Sequence, residues 1–245
     1  MGARTMKKLE SVWFEFAGAR NTDKGVRLLS LPVRYHPAER GEFIQVPGRD
    51  GSLWAGEDAF DDVTVRVQCQ TTDDADMAAV DAWLRGAGEL RFSDDPERFY
   101  RARVVKEFSR SAAMNRFVNQ AFTVTFDCQP FLYHRSVEDI TLDGNPDTVT
   151  NPGTYKSAPR IKIAGTGTAV LTIGTQIVEV EDLAGGVIID SELGECLDLT
   201  ETQLKNSVVT LMDEDFPTLQ PGANIISWTG TGVTGITITP RWRDL

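Results

Sequence analysis

Cysteine is scarce in this 245-residue chain, and histidine scarcer still. The three cysteines, Cys69, Cys128 and Cys196, are odd in number and far apart, which argues against a disulfide framework and fits a reducing cytosol. The two histidines stand in Tyr35-His36-Pro37 and Tyr133-His134-Arg135. Neither has the H-x-x-x-H spacing and no C-x-x-C occurs, so no metal site is expected. A G-x-S-x-G elbow is missing, which leaves serine-hydrolase chemistry without local support. No window reaches the ~18 consecutive apolar residues of a membrane span. Arg4, Lys7 and Lys8 precede no apolar core or cleavage-type site, so Met1 to Phe16 is not expected to be a secretion signal. Basic excess is also lacking: 25 Lys and Arg face 36 Asp and Glu, a net charge of −11, which argues against nucleic acid as a docking partner.

What is present is a globular composition, 41% apolar and 25% charged, which excludes global disorder, collagen and coiled coil. At ~100–200 residues per domain the length allows one large domain or two small ones. Charge favours two. Residues 1–135 carry 19 basic against 20 acidic side chains, whereas residues 136–245 carry 6 against 16. Between the halves lie Asp143-Gly144-Asn145-Pro146-Asp147 and Asn151-Pro152-Gly153, both dense in turn residues. The boundary is expected at roughly 133–145, giving domains 1–138 and 139–245.

The first half alternates with period two. Val63 to Gln70 and Phe122 to Cys128 each place apolar residues, Cys69 and Cys128 among them, on one face, as half-buried strands do. One helix is expected from about Asp73 to Arg85, capped by Thr71 or Thr72, with Asp73, Asp74 and Asp76 in its first turn. Met77, Val80 and Leu84 form its apolar stripe beside Trp83, Gly86 stops it, and it plugs one side of a small barrel. The second half reads as short strands around 160–163, 169–173, 176–180, 187–190, 207–211, 224–228 and 235–239. That spacing without helical stretches argues for an all-β sandwich or jelly roll.

Few groups offer chemistry. Gly165-Thr166-Gly167 and Gly230-Thr231-Gly232 lack the strand–loop–helix context and the lysine of a phosphate cradle, and are expected to be hairpin turns. Asp61-Asp62, Asp94-Asp95 and Asp213-Glu214-Asp215 could supply paired carboxylates for glycoside hydrolysis, but solvated turns explain them in so acidic a chain. Trp228 and Trp242 could form a sugar-stacking platform, although Ile226 on the same strand face assigns Trp228 to a core. Neither an enzyme nor a cofactor is expected.

An ordered set of phrases carries more information. Phe14-Glu15-Phe16 with Gly18 opens it, followed by Val46-Pro47-Gly48-Arg49-Asp50-Gly51, Ala82-Trp83-Leu84, and Leu90-Arg91-Phe92-Ser93-Asp94-Asp95-Pro96. Phe126-Asp127-Cys128-Gln129-Pro130-Phe131 closes the first half. The second half adds Asn151-Pro152-Gly153-Thr154, Ser157-Ala158-Pro159, Ile189-Asp190-Ser191, Phe216 to Asn224 and Pro240-Arg241-Trp242-Arg243.

This set resembles the distal tail protein (Dit) family of long-tailed, non-contractile bacteriophages, across nearly the whole chain. The resemblance implies a mainly β protein: an N-terminal split β-barrel domain with one α-helix, and a C-terminal galectin-like β-sandwich of jelly-roll type. It implies a homo-hexameric ring at the virion tail tip, joining the tail tube protein and tape-measure protein to the baseplate hub or tail-associated protein. DNA would pass through the ring without specific binding, and no membrane is involved. Physical readings accompany the phrases. Pro47-Gly48 suits the centre of a type II turn and Asp50-Gly51 a primed hairpin turn, displaying Arg49 at a tip. Arg49 and Asp50 are candidate inter-subunit contacts, and the plainer alternative for Arg49 is a solvated turn arginine. Pro96 and Pro130 are each expected to end a strand. A galectin-like sandwich also raises the alternative of a carbohydrate-binding module, for which the second half offers no histidine and only Arg160, Arg241 and Arg243.

Overall fold

The computed structural model describes residues 12–30, 32–72, 75–104 and 121–245, and the chain divides into two compact units, one running to Tyr133 and one from His134 to Asp244. Both are built mainly from β-strands.

The first unit contains β1 (Phe14–Phe16), β2 (Ala19–Arg20), β3 (Val26–Leu28), β4 (Glu39–Gln45), β5 (Ser52–Phe60), β6 (Val63–Thr71), helix α1 (Met77–Trp83), β7 (Gly86–Phe92), β8 (Asp95–Val104) and β9 (Ala121–His134). The main sheet runs β2-β1-β7-β8-β9-β6-β3. One of its long ladders is the antiparallel β6–β9 pair, in which Val65 faces Phe126 and Val67 faces Val124. Both alternating strands bury their apolar side, including the two cysteines. The sheet curls, because its two edge strands are consecutive in the chain and meet at Asn21. The buried Asn21 side chain accepts from the Phe14 amide at 2.8 Å and donates to the Val26 carbonyl at 2.8 Å. One side chain thereby satisfies backbone groups at both edges.

The helix is shorter than expected and starts later. Asp76, not a threonine, caps it, accepting from the amides of Ala78 and Ala79. Thr71 belongs to β6, and the Thr72 hydroxyl donates to the Gly25 carbonyl at 3.0 Å. Of the three aspartates expected in the first turn, Asp73 and Asp74 lie outside the described residues, as do Arg4, Lys7 and Lys8. The apolar stripe does face the core: Val80, Trp83 and Leu84 are buried, with Met77 packed alongside. Trp83 stacks on Phe14 and donates its indole N–H to the Phe16 carbonyl at 2.8 Å.

Neither proline ends a strand. Pro96 is the second residue of β8, after a turn at Ser93 and Asp94. Pro130 lies inside β9, just beyond Cys128, where pairing with β6 stops.

The second unit contains β10 (Ile140–Thr141), β11 (Asp147–Asn151), β12 (Arg160–Gly165), β13 (Ala169–Ile173), β14 (Gln176–Val180), β15 (Gly185–Asp190), β16 (Glu195–Asp198), β17 (Val209–Leu211), β18 (Gly222–Thr229), β19 (Val233–Thr239) and β20 (Arg243–Asp244). Two five-stranded antiparallel sheets, ordered β10-β19-β12-β15-β16 and β11-β18-β13-β14-β17, share one core of Ile161, Ile163, Leu171, Ile189, Ile226 and Ile238 among others. This is a sandwich built on alternating inward residues.

The two glycine clusters are not hairpin turns. Gly165-Thr166-Gly167 carries the chain from β12 in one sheet to β13 in the other, and Gly230-Thr231-Gly232 carries it back from β18 to β19. The crossings touch, the Thr166 amide donating to the Gly232 carbonyl at 3.0 Å. A Cβ on Gly232 would come within 2.0 Å of the Thr166 carbonyl oxygen, so the approach requires glycine there.

The ends of the sandwich lie side by side. The His134 amide donates to the Trp242 carbonyl at 3.0 Å. Its ring Nε2 is 3.0 Å from the Asp244 carboxylate, whose other oxygen accepts from the Thr154 amide.

Candidate functional site

Residues expected to carry chemistry do not converge. Among the described residues no group of three His, Cys, Asp or Glu side chains is placed to hold a metal. His36 is exposed on the chain leading into β4, and His134 is held by Asp244. All three cysteines are free and buried. Burial pushes the thiols of Cys69 and Cys128 up to about 12 and that of Cys196 up to about 11, the wrong direction for a nucleophile. The acidic pairs serve locally: Asp61 pairs with Arg40, Asp94 with Arg34, and Asp95 with Arg98. Asp213, Glu214 and Asp215 are solvated. Trp242 is buried and Trp228 packs against the sandwich core, so these two rings form no stacking platform.

The phrases of the second half prove to be fasteners. Asn151 donates to the carbonyls of Tyr155 and Leu219 and accepts from the Gly153 amide. Asn224 clasps the turn before β18, accepting from the Gln220 amide at 2.8 Å and donating to the Gln220 and Gly222 carbonyls. Asp190 is buried with two backbone amides, those of Glu192 and Leu193, on one of its oxygens. Arg241 grips it with two bonds of 2.6 and 2.7 Å. Burial alone would raise this carboxyl, but the Arg241 guanidinium and the two amides hold it below the usual carboxylate range.

The surface that stands out is an arm. Strands β4 and β5 form a two-stranded sheet of their own, with all of β4 and β5 up to Ala59's approach exposed. Phe43 lies opposite Trp54 on one face, their rings 4.8 Å apart, and Ile44 opposite Leu53 on the other. Phe43 is 72% exposed, and Ile44, Leu53 and Trp54 are exposed as well. The Trp54 ring covers Gly41 and Gly56, where a Cβ on Gly41 would come within 2.7 Å of it. An isolated two-stranded ribbon is marginal in water, and apolar side chains on both faces have no core here to enter. Arg40, bridged to Asp61, ties the arm's root.

Arg49 and Asp50 sit at the arm's tip, both exposed. The Arg49 amide donates to the Val46 carbonyl, and Gly48 has φ +80°, as a type II turn through Pro47-Gly48 requires. The primed turn at Asp50-Gly51 does not form: Gly51 has positive φ but Asp50 does not. A single loop from Val46 to Gly51 joins the strands instead.

A second feature is an open trough of about 680 Å³ on the outward face of β7, β8 and β9. Glu89 lies opposite Arg101, and Ala87 opposite Arg103, on the paired strands. Asp62 and Asp127 complete its charged lining. The Arg101 guanidinium lies 4.1 Å over the Tyr133 ring, and Asp127 accepts from the Thr64 hydroxyl.

No family model matches the chain, and no curated protein matches it. A solved structure does. The chain has a Dit-like fold. It is similar to SPP1 Dit (gp 19.1), described as a paradigm of the hub adsorption apparatus in phages infecting Gram-positive bacteria. The match has a TM-score of 0.65 at 15% identity and covers 96% of this chain and 99% of that one. The Dit-like course therefore takes in both the curled sheet with its arm and the sandwich.

Proposed function

We propose that this chain is a structural distal tail protein of a long, non-contractile phage tail. Six copies close into a ring that joins the tail tube to the baseplate and host-recognition device. The curled sheet is the split-barrel, ring-forming part and the sandwich is the galectin-like part. Tube, tape-measure and tail-associated proteins are its neighbours at the tail tip, and DNA passes through without specific binding. The observation that carries this reading is the arm, whose apolar residues on both faces are exposed in a single chain. Such a surface calls for a protein partner. A head-to-tail contact repeated between identical copies closes into a ring when its rotation permits. No bond is made or broken on this surface. It works by shape.

Mass photometry and negative-stain electron microscopy of the purified chain, alone and with the tube and tape-measure proteins, test the reading. Annular particles of six-subunit mass are expected. A species that stays monomeric in both conditions would refute it.

A further inference from the structure

The two outer faces of the sandwich differ. On the sheet β10-β19-β12-β15-β16 the outward side carries Arg160, Lys162 and Glu195. Over β15 that side is closed, since Ile188 is buried and Leu199 lies against Gly186. The outward side of β11-β18-β13-β14-β17 is bare, with Ile225 60% exposed and Ile177 37% exposed. Ser227, Thr172 and Ile177 stand side by side across three strands of it, and Thr148 faces Ile225. Most of its outward positions are threonine, valine or isoleucine, and Glu179 alone among them is charged. That neutrality contrasts with the rest of the unit, for residues 136–245 carry 6 basic against 16 acidic side chains.

What the face lacks narrows its occupant. It has no basic side chain to hold a phosphate and no aromatic ring to stack on a sugar. Rows of β-branched side chains suit a second sheet packed face to face. At ~4.8 Å between strands and ~3.3 Å per residue, five strands of about five residues give a face of roughly 400 Å². A pair of such faces buries about 800 Å², short of the ~1,000 Å² that a lasting specific contact needs. So small a face fits a transient contact between copies better than a permanent partner. We infer that it pairs with the same face of a second copy of this chain, an isologous contact. Acidic surfaces repel a like copy elsewhere on the unit, and this neutral face is where the two can approach. The surrounding carboxylates keep the pairing weak, and Glu179 opposes it further by losing water against a neutral surface. The contact lies on the sandwich, apart from the arm, and goes beyond the ring reading.

Sedimentation equilibrium of the full-length chain tests the pairing, with Phe43 and Trp54 both replaced by serine so that the arm contributes nothing. At about 0.5 mM protein a monomer–dimer equilibrium is expected. Raising NaCl from about 20 mM to about 500 mM should strengthen it at least about threefold, because screening removes repulsion between acidic copies. Ile225→Lys and Thr172→Lys, added singly, should each weaken it at least about tenfold without lowering the melting temperature, since both side chains point outward. Glu179→Gln should strengthen it about twofold or more. No dimer in either salt, a dimer that weakens as salt rises, or one indifferent to both lysine substitutions would each overturn the inference. A tail-associated protein that binds the parent but not the Ile225→Lys chain, with no self-pairing, would assign the face to that partner and overturn it as well. None of these outcomes touches the ring, which is read from six-subunit particles of the chain with its arm intact.

Discussion

Replacing Arg241 by leucine should expose how the sandwich depends on one buried charge. Arg241 supplies two short bonds, 2.6 and 2.7 Å, to an Asp190 side chain that is 3% exposed. After the change Asp190 keeps the amides of Glu192 and Leu193, both at 3.1 Å, and a distant Arg160 at 3.9 Å. Removing one member of a buried pair costs about 3–5 kcal/mol, and the residual partners favour the lower end, about 3 kcal/mol. Leucine inherits the left-handed backbone at this position, φ +52°, so no strain is relieved. At ~4 °C per kcal/mol for a unit of this size, the sandwich transition should fall by roughly 12 °C in calorimetry at pH 7. The pH dependence gives a second reading. In the parent the Asp190 carboxyl titrates below its unfolded value, so its contribution is present above about pH 4 and is lost as the pH falls through the folded value. In the variant the unpaired, buried carboxyl is stabilised by protonation, so the gap between the two proteins should narrow from pH 7 to pH 3. A gap below about 1 kcal/mol at pH 7, or one that does not change with pH, would refute this account.

Three further outcomes are expected. Replacing both Phe43 and Trp54 by serine should leave the melting of both compact units unchanged, because neither ring enters a core, while self-association measured by sedimentation falls by two orders of magnitude or more, to about the scale of 3 kcal/mol. Asn21→Ala removes a buried acceptor and donor from the meeting sheet edges and should cost about 2–3 kcal/mol in urea titration. A thiol reagent at pH 8 should label none of the three cysteines in the folded protein and all three after denaturation, since burial holds every thiol far above that pH.

The elements legible in the sequence were those with one wet and one dry face. Val63 to Gln70 and Phe122 to Cys128 alternate because their odd or even positions alone enter the core. The arm escaped that logic. Glu39 to Gln45 is exposed on both faces, with Phe43 and Ile44 as neighbours, so no period-two signal marks it as a strand. Its tip residues, Arg49 and Asp50, were visible only because Pro47-Gly48 announces a turn. The glycine clusters announced turns too, but glycine reports a conformation, not which sheet the next strand joins, and both turned out to cross the sandwich. Asn21 carried no signal, for its role depends on two strands meeting around it. The trough is assembled from Asp62, Glu89, Arg103 and Asp127, residues brought together by long-range pairing alone.

The neighbouring ends of the sandwich have a practical meaning. Because His134 is bonded to Trp242 and Asp244, the polypeptide enters and leaves this unit through one doorway. Any module whose termini sit equally close could be spliced in between those points, or the doorway sealed with a short linker.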